Sequence, residues 1–100
     1  MIIRGVNVFP MQIEDLICKD DRLVPHYYCE IRREGPMDTL TVVAEASEKT
    51  ANEADRISAG KELEKQIKVT IGVSSSVIIK KAGDVPRSEG KAKRVYDLRG

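Results

Sequence analysis

"HYYCEIRREGPMDTLTVVAEA", His26 to Ala46, alternates twice around one turn. In its first half Tyr27, Cys29 and Ile31 fall on one side, and Tyr28, Glu30 and Arg32 on the other. After the breakers of "EGPMD", Leu40, Val42, Ala44 and Ala46 again share a side. A period of two is the strand period, so the stretch reads as two strands. A short turn joining them makes an antiparallel hairpin with one wet face.

The flanking segments are helical. Thr50 followed by Glu53 matches a capping box, which predicts a helix start there. Ala54, Ile57, Gly60, Leu63, Ile67 and Ile71 then recur three or four residues apart, one face of a helix of about five turns. Gly72 is placed to stop it. Upstream, "IIRGVNVF" reads as a short extended pair with Gly5 at the bend and Phe9 as a core anchor. Pro10 suits the first position of a short helix, whose Ile13, Leu16 and Ile17 share a face and which ends near "KDDR". Downstream, "SSVIIKK" reads as a strand, "AGDVPRSEG" as a loop, and "KAKRVYDLRG" as a final element of undecided type. The order β-α-β-β-α-β plus a tail is the ferredoxin-like pattern. It predicts an α+β fold, with an antiparallel sheet carrying two helices on one face. Residues 1–100 are read as a single domain.

Composition excludes several classes. Of 100 residues, 41% are hydrophobic and 33% charged, ordinary for a globular chain, and the net charge of +1 demands no acidic partner. No apolar run is long enough for a membrane span, and the N-terminus shows neither charged leader nor cleavage site, so no membrane and no signal peptide are expected. Cys18 and Cys29 lack C-x-x-C spacing and His26 is the sole histidine, so neither a metal site nor a His-based catalytic dyad is expected. The scattered cysteines suggest reduced thiols and a cytoplasmic setting, with Cys29 buried.

The chemistry-bearing stretch is "VPRSEGKAKRV", Val85 to Val95. Seven basic residues stand against three acidic ones between Lys80 and Gly100, a balance that by itself reads as a solvated tail. Lys91 does not belong to a Walker-type phosphate loop. Six residues separate Gly83 from Gly90, and Ala92 occupies the place of the magnesium-binding hydroxyl. Nucleic-acid binding would want interleaved aromatics, and the tail offers only Tyr96.

"RGVNVFPMQIED" followed by "VPRSEGKAKRVYDLR" resembles the C-terminal domain of phenylacetate–CoA ligases, within the adenylate-forming acyl-CoA synthetase superfamily. "REGPMDTLTV" and "IGVSSSV" also fit, so the resemblance spans nearly the whole chain. It implies an AMP-forming acid–thiol ligase using ATP, Mg2+ and CoA. A small carboxylic acid is adenylated, and CoA then displaces AMP. It implies Lys91 as the adenylation lysine, with Gly90 letting the loop approach the nucleotide and Pro86 stiffening its entry. Arg94 matches the basic residue after the lysine. Arg4 and Gly5 match the stretch presented to the pantetheine arm of CoA, although a simple hairpin bend explains Gly5 equally well. The ATP and acid pockets would lie on an N-terminal adenylation domain missing from this sequence, either cut away or supplied as a separate chain. The isolated domain is therefore expected to be inactive and to hold none of these cofactors alone. The alternatives are an ACT-like small-ligand-binding regulatory module, which shares the element order, and a nucleic-acid-binding ferredoxin-like domain, which requires stacking aromatics on its sheet.

Overall fold

The computed structural model describes residues 2–50, 52–85 and 95–99. Eight elements follow in order: β1 (Ile2–Ile3), β2 (Val6–Asn7), α1 (Pro10–Cys18), β3 (Leu23–Glu34), β4 (Met37–Ala46), α2 (Glu53–Thr70), β5 (Ser76–Lys80) and β6 (Val95–Asp97). The fold is α+β, with two helices on a mixed sheet.

The β3–β4 hairpin is antiparallel, from Leu23 opposite Ala46 to Glu34 opposite Met37. Its turn is tighter than the five-residue breaker cluster suggests. Only Gly35 and Pro36 lie between the last paired residues. Gly35 has φ +60° and proline fixes φ near −65°, the combination a tight hairpin turn with glycine at its first central position demands. A register shift between Val24 and Tyr27 absorbs Pro25 and His26, and both Leu23 and Tyr27 remain buried. β3 therefore begins three residues before His26.

The sheet order is β5-β4-β3-β6, and both edges pair in parallel, β5 with β4 and β6 with β3. The expectation of an antiparallel sheet holds for the central pair only. The cause at β5 is the crossover. An 18-residue helix spans about the length of a strand, so α2 returns the chain to the start of β4 and β5 runs alongside it. The N-terminal pair stays outside this sheet as a separate two-stranded ribbon.

The core lies between the sheet and the two helices. Ile13 and Ile17 of α1, Cys29 and Ile31 of β3, and Leu40, Val42 and Ala44 of β4 are all at most 2% exposed. From α2 the buried residues are Ala59, Gly60, Leu63 and Ile67. Ile57 is 53% exposed, so the buried face of α2 is rotated from the one that includes Ala54 and Ile57. Gly60 faces β5 closely. A Cβ there would stand 3.3 Å from Ile79 and 3.6 Å from the Val77 carbonyl.

The helix ends partly match expectation. Pro10 is the first residue of α1, and Gln12 Oε1 accepts the Phe9 amide at 2.9 Å. Phe9 itself is 53% exposed while Val8 is fully buried, so Val8 and not Phe9 is the core anchor. At α2 the cap is Asn52, whose side chain accepts the Ala54 amide at 2.8 Å. Thr50 is instead buried in the preceding turn, its amide on the Ser47 carbonyl and its hydroxyl 3.3 Å from that of Ser47. Gly72 closes the helix at φ +91°, its amide reaching the Ile67 and Lys68 carbonyls.

Candidate functional site

The ribbon β1–β2 turns through Arg4 and Gly5, with Ile3 opposite Val6. Both turn residues have positive φ, +51° at Arg4 and +78° at Gly5. Two-residue turns of this hand match the twist of their strands, and Gly is free to adopt them. Arg is not, because its Cβ crowds the following carbonyl. The surroundings hold Arg4 in place. Its Nε donates to the Asp38 carbonyl at 2.9 Å, across to the β3–β4 turn. Nothing lies within 4 Å of a Cβ built on Gly5, so the tip of the turn faces open space.

Asp38 is the centre of a larger cluster. Its Oδ1 accepts Arg33 Nε at 3.2 Å and its Oδ2 accepts Arg99 Nη1 at 2.9 Å. Arg99 Nη1 also donates to the Ile2 carbonyl at 3.1 Å. The other side of the Arg99 fork is bidentate on Asp97, Nε to Oδ1 at 2.9 Å and Nη2 to Oδ2 at 2.7 Å. Arg33 and then Arg99, by hydrogen bonds, hold the Asp38 carboxyl below its usual value. Arg99 holds that of Asp97 at about 2, and its own pKa rises in return. Hydrogen bonds from the ribbon, from β3 and from the chain after β6 thus meet at one residue, Asp38, the first on its carbonyl and the other two on its carboxylate.

Lys91, Gly90, Arg94 and Pro86 lie outside the described residues. The residues flanking that segment are fixed. Val85 is 2% exposed, and its amide donates at 3.3 Å to Oε1 of Glu45, itself 2% exposed. At the far end Val95 pairs beside Cys29 in the sheet, and the Leu98 amide donates to the Ile31 carbonyl at 2.7 Å. Nothing in the sequence singles out Glu45. The alternation of β4 assigns it to the wet face, yet that face is covered here, with Val43 also only 2% exposed.

His26 lines a shallow cleft of about 390 Å³ with Val24, Glu45 and Gly83. Cys18 is exposed and Cys29 buried, and neither is in a disulfide. Among the described residues no group of three His, Cys, Asp or Glu could hold a metal ion, and no helix is long and apolar enough to cross a membrane. Tyr28 and Tyr96 meet edge to face at 5.7 Å. They pack edge on face against each other and are not spaced along a basic groove with their faces open, the arrangement that single-strand binding requires.

Comparison with known proteins bears on this arrangement. The family model described as the AMP-binding enzyme C-terminal domain matches residues 5–99. The phenylacetate-coenzyme A ligase of Escherichia coli K12 is 46% identical over 99% of this chain, and that of Thermus thermophilus is 40% identical over the same share. The chain spans about a quarter of these relatives, 23% and 26% of their lengths. Among solved structures, a domain of phenylacetate-coenzyme A ligase from Bacteroides vulgatus superposes with a TM-score of 0.88 at 33% identity, covering all of this chain and 92% of that one. A 2-hydroxyisobutyryl-CoA ligase bound to 2-HIB-AMP and CoA in the thioesterification state superposes at 0.86 and 27% identity, covering 97% of this chain and 20% of that one.

Proposed function

The chain belongs to the family of AMP-binding enzyme C-terminal domains, and on that premise we propose that it is the mobile domain of an ATP-dependent phenylacetate–CoA ligase. The observation that carries the reading is the match of 99% of this chain to 23% of a phenylacetate-coenzyme A ligase at 46% identity. In the first step the acid's carboxylate oxygen attacks the α-phosphorus of ATP, and the bond to pyrophosphate breaks. Lys91 stands by the two anions, offsets their repulsion and stabilises the charge that builds between them. A lysine serves this as a compact point charge on a flexible stem. Gly90 allows close approach of backbone, and Arg94 supports the loop.

In the second step the CoA sulfur attacks the acyl carbonyl, the thiol proton leaves and the bond to AMP breaks. The Arg4–Gly5 turn then faces the pantetheine arm. The open space at Gly5 and its left-handed backbone suit a wall that a narrow substrate slides past. Arg4 contributes its backbone there, because its Nε is engaged on the Asp38 carbonyl. Magnesium has no ligand set among the described residues, and its place belongs with the ATP pocket of the partner domain.

The chain alone supplies one wall of such a site. With phenylacetate, ATP and CoA it yields no thioester, and calorimetry with ATP and magnesium gives at most weak binding. A chimera in which this chain replaces the matching C-terminal quarter of the E. coli relative yields phenylacetyl-CoA. Sub-micromolar ATP binding by the chain alone, or an inactive chimera, overturns the reading.

A further inference from the structure

We infer that Arg99 is a positioning residue for the thiol-transfer step, acting through the shape of the Arg4–Gly5 turn; the inference rests on the function proposed above. The turn carries a non-glycine residue at φ +51°, a conformation that an isolated four-residue ribbon would not hold. It is held from both sides. Arg99 Nη1 fixes the Ile2 carbonyl on one strand, and Asp38, which the same nitrogen grips, offers its own carbonyl to Arg4 Nε in the turn. One guanidinium therefore locks the ribbon to the β3–β4 turn. Asp97 aims it with two hydrogen bonds from a strand that is itself part of the sheet. Arg99 is 22% exposed and Asp38 18%, so water screens their pairing only in part. The chemistry requires a planar fork. A lysine cannot reach the carbonyl, Asp38 and Asp97 at once.

The test has two arms. In the 100-residue chain, amide hydrogen exchange is followed at Ile3 and Val6, the pair that closes the turn, and, as an internal control, at Val42 and Ala44. Arg99→Gln speeds exchange at Ile3 and Val6 by roughly tenfold and leaves the core amides unchanged, the mark of a local opening. In the chimera, Arg99→Gln lowers thioester yield from synthetic phenylacetyl-adenylate and CoA by roughly tenfold while pyrophosphate release is unchanged, because misplacement of a substrate-lining group costs the step it lines. Arg99→Lys restores less than half of either loss, and Asp38→Asn reproduces the Arg99→Gln pattern. Unchanged exchange at Ile3 and Val6 overturns the clamp. A loss shared equally by both half-reactions overturns the positioning role. A wild-type chimera that makes no thioester overturns the functional premise, and the exchange arm still decides the clamp.

Discussion

Asp97 reports the state of the clamp most simply. Its carboxyl is held at about 2 against an ordinary 3.8, first by the side chain of Arg99 and then by its backbone amide. A depressed carboxylate adds stability that is present above its ordinary value and is lost as pH falls through the lowered one. The Arg99–Asp97 pair is thus intact at pH 5, its contribution to stability fades as pH falls from about 4 to about 2, and the pair comes apart as Asp97 takes up its proton near 2. Side-chain carboxyl NMR of the folded chain should follow Asp97 to a midpoint near 2, and Arg99→Gln should return it to the ordinary range. A wild-type midpoint near 3.8 would contradict the bidentate geometry. None of this was legible in the sequence. Arg99 sits in a basic tail, and its partner Asp38 lies 61 residues away inside what reads as a polar turn.

Elements were more legible than contacts, and the reasons are local. Pro10 and Gly72 mark helix ends because their backbones admit little else or almost anything, and both stand where expected. The start of α2 misled because Thr50 and Glu53 satisfy the spacing of a capping box while Asn52, one residue before the helix, makes the cap. Asn52→Ala should therefore destabilise the domain by about 1 kcal/mol, a fall of roughly 4–8 °C in melting temperature. A melting temperature unmoved by Asn52→Ala would return the cap to Thr50. Gly60 is a second element-level case. Alanine would gain about 1 kcal/mol of helix propensity, yet its Cβ meets Ile79 at 3.3 Å, so Gly60→Ala should be close to neutral. Gly60→Val adds β-branched bulk against β5 and should cost about 2 kcal/mol in urea unfolding. Equal stability of the two variants would show that α2 is not seated tightly on β5. The β6 strand escaped assignment because three residues carry no period, and only pairing with β3 makes them a strand.

Across the whole molecule, the sequence motifs at the two ends of the chain are joined by one small scaffold. The ribbon is tied to the β3–β4 turn and to Arg99, while the described residues that flank the Lys91 segment are seated on the fold, Val85 on Glu45 and Val95 beside Cys29. The fold class and the hairpin at its centre could be read from alternation, since a buried face imposes period two. The parallel edges could not, because they depend on where a crossover lands. On the proposed function, two half-reactions fall to two parts of this domain, adenylation to Lys91 and thiol transfer to the Arg4–Gly5 turn. The most direct test compares both half-reactions in the chimera for Lys91→Ala and Gly5→Leu, by pyrophosphate release and by thioester yield from synthetic phenylacetyl-adenylate. Lys91→Ala should slow adenylation by roughly 100- to 1000-fold and leave thioester formation almost unchanged. A Cβ at Gly5 meets no atom within 4 Å, so Gly5→Leu carries the backbone strain of φ +78° but no clash at Cβ, and should block the thiol's approach while sparing adenylation. Equal damage to both steps by Lys91→Ala, or damage to neither, would contradict the division of labour.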